Sequence, residues 1–505
     1  MMVDRAPGND MTLQELLRGL TDEMPAVDVA VTGLSLDSRS VMPGDLFIAL
    51  RGYRRDGREF IDEAVVRGAR VILVESDSSR PVDETETLLI SIRDLRAKTG
   101  LIASRFYGHP SRDMQVIGIT GTNGKTSVCH FIAQVLSDIE PGSTGCIGTL
   151  GYGIYPDLTA AVHTTPDAVM LQSQMSEFRS NGARRTVMEV SSHALEQGRV
   201  NGTAFDIAVF TNISHEHMDY HGDMQSYAAA KERLFYSEGL KQAVINVDDD
   251  FGKQLYKELS GRMTVIGYAL EKDTETVSVT KANVVASIIK HDADGLILNV
   301  RSPWGEGEFH SGLIGEFNAC NLLAALSTLC LAGLSLDIAL QRLAQVRAVP
   351  GRMEVFGNDK SPRIIVDYAH TPDALEQTLA QIRKLCPGKL VCVFGCGGDR
   401  DTAKRPLMGR VAEQYADRVI ITSDNPRGEM PEKIIDEIAV GMAGRVETII
   451  NVDRTAAIRD AIESSIPGDV VLIAGKGHET WQEINGKRYP FSDRQLVRNL
   501  LEAGR

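Results

Sequence analysis

The segment that most constrains the fold of this chain is residues 115–126, which reads QVIGITGTNGKT. An apolar run typical of a buried strand passes into a turn with two glycines, and Lys125 and Thr126 then begin a helix-like stretch. Such a turn presents backbone N–H groups and a helix N-terminus to an anion, while the lysine and the hydroxyl suit phosphate oxygens and Mg²⁺. Ile119 stands where a standard Walker A loop has its first glycine, so a turn that binds nothing stays open on this segment alone. The segment predicts a nucleotide-phosphate site.

Composition limits the kinds of partner that the chain attracts. Its 505 residues carry 54 basic and 68 acidic side chains, a net charge of −14, which argues against general attraction to nucleic acid or to anionic membranes. Seven cysteines, spread from Cys129 to Cys396, indicate reduced thiols rather than a disulfide framework. No signal-like segment and no run of roughly 18 apolar residues is present. We therefore expect a cytoplasmic protein without membrane insertion.

The order of apolar runs predicts an α/β protein of three domains. Residues 1–95 form a small N-terminal α/β domain, with a helix over 60–70. Residues 96–348 form a central P-loop domain whose mostly parallel sheet ends in an antiparallel patch, and residues 349–505 form a C-terminal Rossmann-like domain. Thr371 and Pro372 predict a helix start in the last domain. The predicted strands cover residues 46–50, 71–75, 88–92, 115–120, 186–190, 207–211, 243–246, 284–290, 295–300, 307–311, 364–367, 390–394, 419–422 and 470–474.

Polar residues follow several of these strands, and ligands collect beyond the carboxyl ends of open parallel sheets. Glu189 interrupts an apolar run, which favours an Mg²⁺ ligand, with an internal salt bridge as the alternative. Three histidines, His215, His217 and His221, follow the next strand. Their spacing fits neither HExxH nor a Cys/His zinc site, so Mg²⁺ with one imidazole is favoured over zinc, and a surface loop stays possible. By composition alone, Lys231 would be a solvated helix lysine.

Several motifs follow one another in the order found in Mur ligases. They are Gly121-Thr-Asn-Gly-Lys-Thr126, Glu189-Val-Ser-Ser-His193, Glu216-His217-Met-Asp219, Ala-Ala-Lys231, Gly315-Glu-Phe-Asn318-Ala-Cys-Asn321 and Pro350-Gly-Arg352. The chain resembles the Mur ligase family over essentially its whole length, and within it the members that add the third amino acid of the peptidoglycan precursor. The resemblance implies an ATP-dependent amide ligase. In that reaction the D-glutamate γ-carboxylate of UDP-N-acetylmuramoyl-L-alanyl-D-glutamate attacks ATP, and an amino group of meso-diaminopimelate then attacks the acyl phosphate.

The resemblance also implies roles for individual residues. The catalytic residues would be Lys125, Glu189, His217 and Lys231. Mg²⁺ would bind Thr126, Glu189, His217 and Lys231, the last as a carbamylated lysine (N6-carboxylysine). ATP would contact Gly121, Thr122, Asn123, Gly124, Lys125, Thr126, Ser127, Asn318, Asn321, Arg352 and Asp367. The nucleotide-peptide would contact Leu36, Ser38, Thr164, Thr165, Ser191, Gln197 and Arg199. Diaminopimelate would contact Arg400, Asp424, Asn425, Pro426, Arg427, Gly475 and Glu479.

The choice of amino acid depends on the Asp-Asn-Pro-Arg sequence that ends at Arg427. In the family this form goes with meso-diaminopimelate, because an arginine can hold its distal carboxylate in a bidentate pair and lysine has no such carboxylate. The lysine-adding ligase is the alternative, and a purely structural Asn-Pro turn is the other possibility for this segment. The motifs argue against two further readings, a different amide ligase of the same architecture and a non-catalytic ATP-dependent switch. We expect a monomer. The chain departs from the family at Tyr53-Arg54-Arg55, where the family has a short polar segment that contacts uridine.

Overall fold

The structure of the protein is a computed structural model that describes residues 11–21, 24–52, 55–75, 81–83, 87–271, 283–292, 294–358 and 360–503. The chain divides into two compact units. Of the described residues, the first unit holds those up to Ala269, residues 283–284 and Ala324–Ser335, and the second unit holds the rest. No helix in these ranges is long and apolar enough to cross a membrane.

Strands and helices alternate along most of the chain. The strands are β1 (Met11–Thr12), β2 (Ala30–Val31), β3 (Leu34–Ser35), β4 (Leu46–Ala49), β5 (Val71–Glu75), β6 (Pro81–Asp83), β7 (Leu88–Ile92), β8 (Gln115–Thr120), β9 (Thr144–Gly148), β10 (Gly151–Ile154), β11 (Arg185–Glu189), β12 (Ile207–Phe210), β13 (Gln242–Asn246), β14 (Thr264–Leu270), β15 (Asn283–Asp292), β16 (Gly295–Ser302), β17 (Gly305–Ser311), β18 (Glu354–Phe356), β19 (Arg363–Asp367), β20 (Leu390–Phe394), β21 (Arg418–Ile421), β22 (Glu447–Ile450), β23 (Val470–Ala474), β24 (Trp481–Ile484) and β25 (Lys487–Pro490). The α-helices are α1 (Leu13–Leu17), α2 (Ile61–Val66), α3 (Leu95–Phe106), α4 (Lys125–Ile139), α5 (Ala168–Ser180), α6 (Ser192–Glu196), α7 (Met218–His221), α8 (Met224–Glu232), α9 (Asp250–Leu259), α10 (Glu316–Leu331), α11 (Leu336–Leu343), α12 (Pro372–Leu385), α13 (Lys404–Tyr415), α14 (Pro431–Ala439), α15 (Arg454–Glu463) and α16 (Asp493–Ala503).

The first unit contains two larger sheets. The smaller has the order β3-β4-β5-β7-β6 and is parallel except for β6. In the larger, the strands of this unit run in the order β10-β9-β11-β8-β12-β13-β14 and are parallel except for β10. Strand β8 therefore has parallel neighbours on both sides. After β8 the chain adds β9 and β11 on one side of it and then β12, β13 and β14 on the other. Open parallel sheets bind ligands in the crevice at such a change of side, and the phosphate loop directly follows β8.

The second unit has a six-stranded sheet of order β18-β19-β23-β20-β21-β22, parallel except for β18. Alternate residues of β20 enter different cores: Cys392 and Phe394 pack in one apolar cluster, and Val391 and Val393 in another. Successive side chains on a strand point to opposite faces, so both faces of this sheet are covered. Strands β15, β16 and β17 form an antiparallel meander, as predicted for the end of the central block.

Every predicted strand lies on an observed one, and the predicted start of helix α12 is also present. Thr371 caps that helix through its hydroxyl, which accepts from Ala374 N at 3.3 Å, and Pro372 is the first helical residue. The predicted helix over 60–70 was too long. Its α-helical part is Ile61–Val66, and Gly68 has a φ of 93°, a left-handed conformation that ends the helix.

Candidate active site

The phosphate loop joins β8 to α4 with two glycines in conformations that other residues rarely adopt. Gly124 precedes the helix with a φ of 85°, and Gly121 has a φ of 150°. A Cβ on Gly121 would lie 1.9 Å from Thr211 Oγ1, so the loop has no room for a side chain there. Glycine is therefore required by backbone conformation and by space.

The segment after β12 fixes this loop through several hydrogen bonds. Thr122 N donates to Asn212 O at 2.7 Å, and Asn123 N donates to Asn212 Oδ1 at 3.0 Å. Thr211 Oγ1 donates to Asn123 O at 2.6 Å. The hydroxyls of Thr122 and Tyr227 hydrogen-bond each other at 3.1 Å. The segment after β12, the strand next to β8, thus orders the backbone of the predicted phosphate loop.

Two lysines meet at the carbonyl of Gly121. Lys125 Nζ donates to Gly121 O and Thr122 O, each at 2.8 Å, and Lys231 Nζ donates to Gly121 O at 2.8 Å. Lys231 is 1% exposed, and its Nζ lies 4.3 Å from the centre of the Tyr227 ring. Burial, and then the charge of Lys125, hold the pKa of Lys231 well below its ordinary value. The solvated lysine expected from composition is therefore a buried amine in the site.

Glu189 is fully buried at the carboxyl end of β11, and hydroxyl and amide groups surround its carboxylate. Thr126 Oγ1 donates to Glu189 Oε2 at 2.8 Å. Thr149 supplies a backbone N–H to Oε1 at 2.7 Å and its hydroxyl to Oε2 at 3.2 Å. The internal salt bridge considered from the sequence is not among these contacts. A buried carboxylate beside the first-turn threonine of a phosphate loop fits an Mg²⁺ ligand.

Three histidines, His193, His217 and His221, form an aromatic cluster near the loop. The His193 ring centre lies 4.8 Å from that of His217 and 5.3 Å from that of His221. His217 has a φ of 59° and a side chain that is 44% exposed, and its Nε2 lies 3.8 Å from Glu216 Oε2. Partial burial, together with Lys125 and Lys231, lowers the pKa of His217, although Glu216 opposes the shift. A neutral imidazole is the form that binds metal.

The residues predicted for the nucleotide-peptide include one connected group. Thr165 Oγ1 donates to Glu189 O at 2.8 Å and accepts from Ser191 N at 3.1 Å. Arg199 Nη1 donates to Thr165 O at 3.0 Å, and Arg199 Nε donates to Gln197 Oε1 at 2.9 Å. Thr164 Oγ1 lies 3.1 Å from Thr149 Oγ1, the hydroxyl that reaches Glu189. The structure therefore links the predicted substrate residues to the predicted metal ligand.

Two predicted nucleotide-peptide residues lie elsewhere in the first unit. Leu36 follows β3, and Ser38 begins a single 3₁₀ turn in which its hydroxyl donates to Glu63 Oε2 at 2.7 Å. Tyr53 and Arg54, two of the three residues at which the chain departs from the family's uridine segment, lie outside the described residues. The contacts of Ser38 thus keep it in the N-terminal part of the unit.

Four residues predicted for ATP lie in the second unit. Asn318 Nδ2 donates to Ile314 O at 2.9 Å, and Asn321 Nδ2 lies 3.3 Å from Asn318 Oδ1. Asp367 accepts the backbone N–H of Met353 at 2.8 Å, which fixes the residue after Arg352. The Arg352 guanidinium lies 4.5 Å from the centre of the Tyr368 ring, and its buried Nε has no hydrogen-bond partner among the described residues.

The Asp-Asn-Pro-Arg segment follows β21 and meets the turn after β23. Asn425 Nδ2 donates to Glu479 Oε2 at 2.8 Å, and Lys476 Nζ donates to Asn425 Oδ1 at 3.1 Å. Gly475 has a φ of 110°, and a Cβ there would lie 2.6 Å from Asp424 Oδ2. Two strand ends therefore bring together the residues predicted for diaminopimelate.

Arg427 lies on the same loop in a left-handed conformation, with a φ of 51°. Its Nη1 donates to Gly398 O at 2.7 Å, and its Nε lies 3.9 Å from Glu483 Oε2. Pro426 O would lie 1.9 Å from a Cβ added to Gly398, so the two loops touch through their backbones. Arg400 is exposed on the Gly398 loop. The two predicted arginines thus lie on adjoining loops of the second unit.

Sequence reasoning did not single out several residues that build these sites. Thr149 was missed because it directly follows β9, a glycine-rich strand that was not predicted. Lys476 was read only as part of a turn, although a lysine between two glycines was a usable signal. Arg405, which is fully buried, donates to Glu429 Oε1 at 2.8 Å and to Glu437 Oε2 at 2.6 Å. Its place early in a helix gave no sign of burial.

The residues present fit an Mg²⁺ site that phosphate and water complete better than a metal site built entirely from protein side chains. Within the described ranges, no group of three or more histidine, cysteine, aspartate or glutamate side chains could hold a metal ion. Mg²⁺ typically takes one or two carboxylates and completes its shell with phosphate oxygens and water. Glu189 and the Thr126 hydroxyl offer such a partial set, and an unmodified Lys231 offers none.

Comparison with known proteins decides the family. Models of three Mur ligase domains match the chain in order: the Mur ligase family catalytic domain at residues 30–107, the middle domain at 119–329 and the glutamate ligase domain at 351–477. The chain belongs to the Mur ligase family. The predictions of family and of the three-part α/β fold are thereby confirmed. The domain boundaries and the roles of individual residues stay predictions.

Individual relatives cover this Mur ligase almost completely. A UDP-N-acetylmuramoyl-L-alanyl-D-glutamate--2,6-diaminopimelate ligase of Coxiella burnetii is 48% identical over 98% of this chain and 100% of its own length. The protein of the same name from Chromobacterium violaceum is 45% identical over 97% and 99%. A solved structure of a ligase of that name has a TM-score of 0.71 and 37% identity, and covers 98% of this chain and 99% of its own.

Proposed function

We propose that this Mur ligase joins meso-diaminopimelate to the D-glutamate of UDP-N-acetylmuramoyl-L-alanyl-D-glutamate in an ATP-dependent step of peptidoglycan precursor synthesis. The observation that carries the proposal is the full-length likeness to ligases named for this reaction. The loop after β21 gives it a physical basis, because Arg427 suits a distal carboxylate. A lysine-adding ligase would have no such carboxylate to bind.

The first half-reaction brings a carboxylate to a polyanion, so charge neutralisation dominates its chemistry. The N–H groups of Gly121, Thr122, Asn123 and Gly124 and the first turn of α4, including Ser127, surround the phosphates of ATP. Lys125 releases its loop carbonyls and pairs with the β- and γ-phosphate oxygens. Thr126 and Glu189 would hold one Mg²⁺, which stabilises charge on the transferring phosphoryl group. The D-glutamate γ-carboxylate then displaces ADP and becomes an acyl phosphate.

Lys231 is proposed to be carbamylated and, with His217, to bind a second Mg²⁺. Only a neutral amine attacks CO₂, and burial and the charge of Lys125, which lower the pKa of Lys231, favour that form. The amine nitrogen forms a bond to the carbon of CO₂ and loses a proton, which replaces a buried amine with a carbamate anion. The like-charge contact of Lys231 with Lys125 would thereby become attractive. The proposed modification therefore relieves the like-charge contact between the two lysines.

The second half-reaction places the amine of diaminopimelate against the acyl phosphate. Arg427, with Arg400 nearby, would hold the distal carboxylate, and Glu479 with Asn425 would hold the distal ammonium. Asp424, Pro426 and Gly475 shape the backbone around them. Attack of the reacting amine on the carbonyl carbon forms the amide, loses a proton and expels phosphate. Fixing the amino acid at its far end lowers the entropic barrier to this attack.

The remaining predicted contacts complete the proposal. Leu36, Ser38, Thr164, Thr165, Ser191, Gln197 and Arg199 would bind the nucleotide-peptide, and Asn318, Asn321, Arg352 and Asp367 would contribute to ATP binding. We propose that the enzyme acts as a cytoplasmic monomer and binds no nucleic acid.

One assay tests the reaction class and the amino acid together. Phosphate release is measured with ATP, Mg²⁺ and nucleotide-peptide, and with meso-diaminopimelate, L-lysine or ornithine supplied separately. We expect release that needs the nucleotide-peptide and is fastest with diaminopimelate. Preference for lysine would establish the alternative ligase, and release without nucleotide-peptide would overturn both.

The proposed modification has its own test. Lys231→Ala should lose most activity, and a short carboxylic acid should restore part of it by supplying the missing carboxylate. Carbon-13 NMR of the wild-type enzyme equilibrated with labelled bicarbonate should show a carbamate signal that Lys231→Ala lacks. A wild-type enzyme without that signal would contradict carbamylation.

A further inference from the structure

Lys476 is a fully buried lysine that none of the predicted roles uses. It lies in the turn after β23 and is 0% exposed. Its Nζ donates to Glu479 Oε2 at 2.7 Å and to Asn425 Oδ1 at 3.1 Å. A buried ammonium is costly unless it is paired and hydrogen-bonded, and these two oxygens satisfy it. The lysine therefore connects two loops through two residues proposed to bind the amino acid.

The three side chains form a closed ring of hydrogen bonds. Asn425 Nδ2 donates to the same Glu479 oxygen, Oε2, at 2.8 Å. Asn425 Oδ1 also accepts the backbone N–H of Glu483 at 3.0 Å, which ties the ring to β24. Every polar atom of the Asn425 amide is thus engaged, and its orientation is fixed by donors of known type. Buried hydrogen bonds of this kind restrain the side chains that they join.

The ring uses the two oxygens of Glu479 differently. Oε2 accepts both Lys476 and Asn425, whereas Oε1 makes no hydrogen bond within the described part of the chain. The Glu479 side chain is 16% exposed. One oxygen is therefore anchored and the other is available to a ligand. A carboxylate held in this way is suited to accept an ammonium group in a single geometry.

We propose that Lys476 is a positioning residue for the incoming amino acid, which holds the Glu479 carboxylate and the Asn425 amide in the orientation that receives the distal ammonium of diaminopimelate. This inference rests on the proposed function and deepens it. Lys476 does not touch the substrate. It acts through Glu479, because a carboxylate released from its partner gains rotamer freedom that must be lost again on binding.

Kinetics of Lys476→Met test the proposal, since methionine keeps an unbranched side chain and removes the charge. We expect the KM for diaminopimelate to rise roughly 10- to 100-fold, the effect of losing a charge-assisted hydrogen bond. The KM values for ATP and for nucleotide-peptide should change less than about twofold. Lys476→Arg, which keeps a cation, should recover part of the loss. Lys433→Met, on an exposed lysine of the same unit, is the matched control.

The rate of the first half-reaction distinguishes a positioning role of Lys476 from a purely structural one. With ATP and nucleotide-peptide but no diaminopimelate, hydroxylamine traps the acyl phosphate as a hydroxamate and releases phosphate. Trapping by Lys476→Met should match the wild type within about twofold if the lysine positions only the amino acid. A fall in trapping as large as the rise in KM would overturn the proposal.

A double-mutant cycle with Glu479→Gln tests whether Lys476 acts through Glu479. Coupled residues give non-additive effects, so the double variant should bind diaminopimelate about as poorly as Glu479→Gln alone. Independent, additive losses would contradict the inference. The wild type separates this inference from the proposed function. A wild type that is inactive with diaminopimelate would contradict the proposed function itself. An active wild type and a Lys476→Met variant with the same KM for diaminopimelate would contradict only the role of Lys476.

Discussion

The phosphate loop in the first unit and the Asp-Asn-Pro-Arg loop in the second both follow parallel strands, but they handle charge in opposite ways. At the phosphate loop, Lys125 and Lys231 share the carbonyl of Gly121, so two cations face one neutral acceptor. At the other loop, Lys476 pairs with Glu479 at 2.7 Å. Two lysines thus adjoin one carbonyl at the first loop, whereas the buried lysine at the second loop is paired with a carboxylate.

This difference indicates what each site must do. Cations held close together are destabilised until an anion arrives, which favours a polyanion such as ATP and a carboxylate-like modification. A neutralised and hydrogen-bonded network instead holds its shape before the ligand binds, which favours discrimination between similar amino acids. The first region is thus arranged for charge-driven chemistry, and the second for selection by geometry.

The largest expected effect is that of Lys125→Ala. It should lower kcat by at least about 10³-fold, because it removes a cation aimed at charge that develops during phosphoryl transfer. The fold should survive, since Lys125 Nζ donates to two carbonyls of its own loop, Gly121 O and Thr122 O. Phosphate release and thermal unfolding measure the two effects. Lys253→Ala, on an exposed lysine of the same unit, is the control.

Retained turnover in Lys125→Ala would break the contrast between the regions. It would mean that the excess positive charge at the loop is not used in the chemistry. A large decrease in the unfolding temperature would instead show that Lys125 stabilises the fold.

In the second region, Arg405→Met should reduce stability by about 3 kcal/mol, because it leaves carboxylates unpaired around a buried position. Hydrogen bonds from Arg405, and then from the Asp399 N–H, lower the pKa of Glu429 from 4.5 to about 2. The stabilisation is therefore present in full above pH 4.5 and lost as the pH falls through about 2. The difference between wild type and Arg405→Met in urea should shrink from pH 7 to pH 3.

Arg410→Met, on an exposed arginine of helix α13, is the matched control for that series. It should show neither the stability loss nor the pH dependence. A pH-independent difference for Arg405→Met would mean that packing of the arginine stem, rather than its charge, stabilises the second region.

Arg427→Ala should act on one substrate only. We expect the KM for diaminopimelate to rise about 10- to 100-fold through loss of a charge-assisted pair, with the KM for nucleotide-peptide nearly unchanged. Initial rates with each substrate varied in turn measure the split. An equal loss for both substrates would refute the assignment of this loop to the amino acid.

Much of the fold could be predicted from the sequence because buried parallel strands are continuous apolar runs. Strands β5, β7, β8, β20 and β23 have the predicted bounds. Strand β25 was missed because all four of its residues are exposed and carry no apolar pattern. Strand β9 was missed because two of its five residues are glycines, which are unfavourable in strands unless neighbours approach closely. At Gly145 they do, since a Cβ would lie 2.3 Å from Phe178 Cδ2.

Less of the site could be predicted from the sequence, because the order of the motifs identifies candidate residues but does not show which of them are in contact. The pairing of Thr126 with Glu189 joins positions 63 apart in the chain. The burial of Lys231 could not be read from an alanine-rich helix. Nor could the ring around Lys476, since Asn425 and Glu479 come from different strand ends. Contacts of this kind depend on strand order, which the pattern of apolar runs leaves open.

The smallest expected effect is that of Tyr227→Phe at the phosphate loop. The phenylalanine ring should keep its contact with Lys231 Nζ, which lies 4.3 Å from the ring centre, and lose only the hydroxyl that meets Thr122. Thr122 Oγ1 still accepts from Ser214 N at 3.0 Å, so we expect about 1 kcal/mol less stability and a KM for ATP raised a few-fold. Urea unfolding and initial rates measure these. A change in kcat as large as that of Lys125→Ala would mean that the loop depends on neutral hydrogen bonds as much as on charge, and the contrast between the two regions would fail.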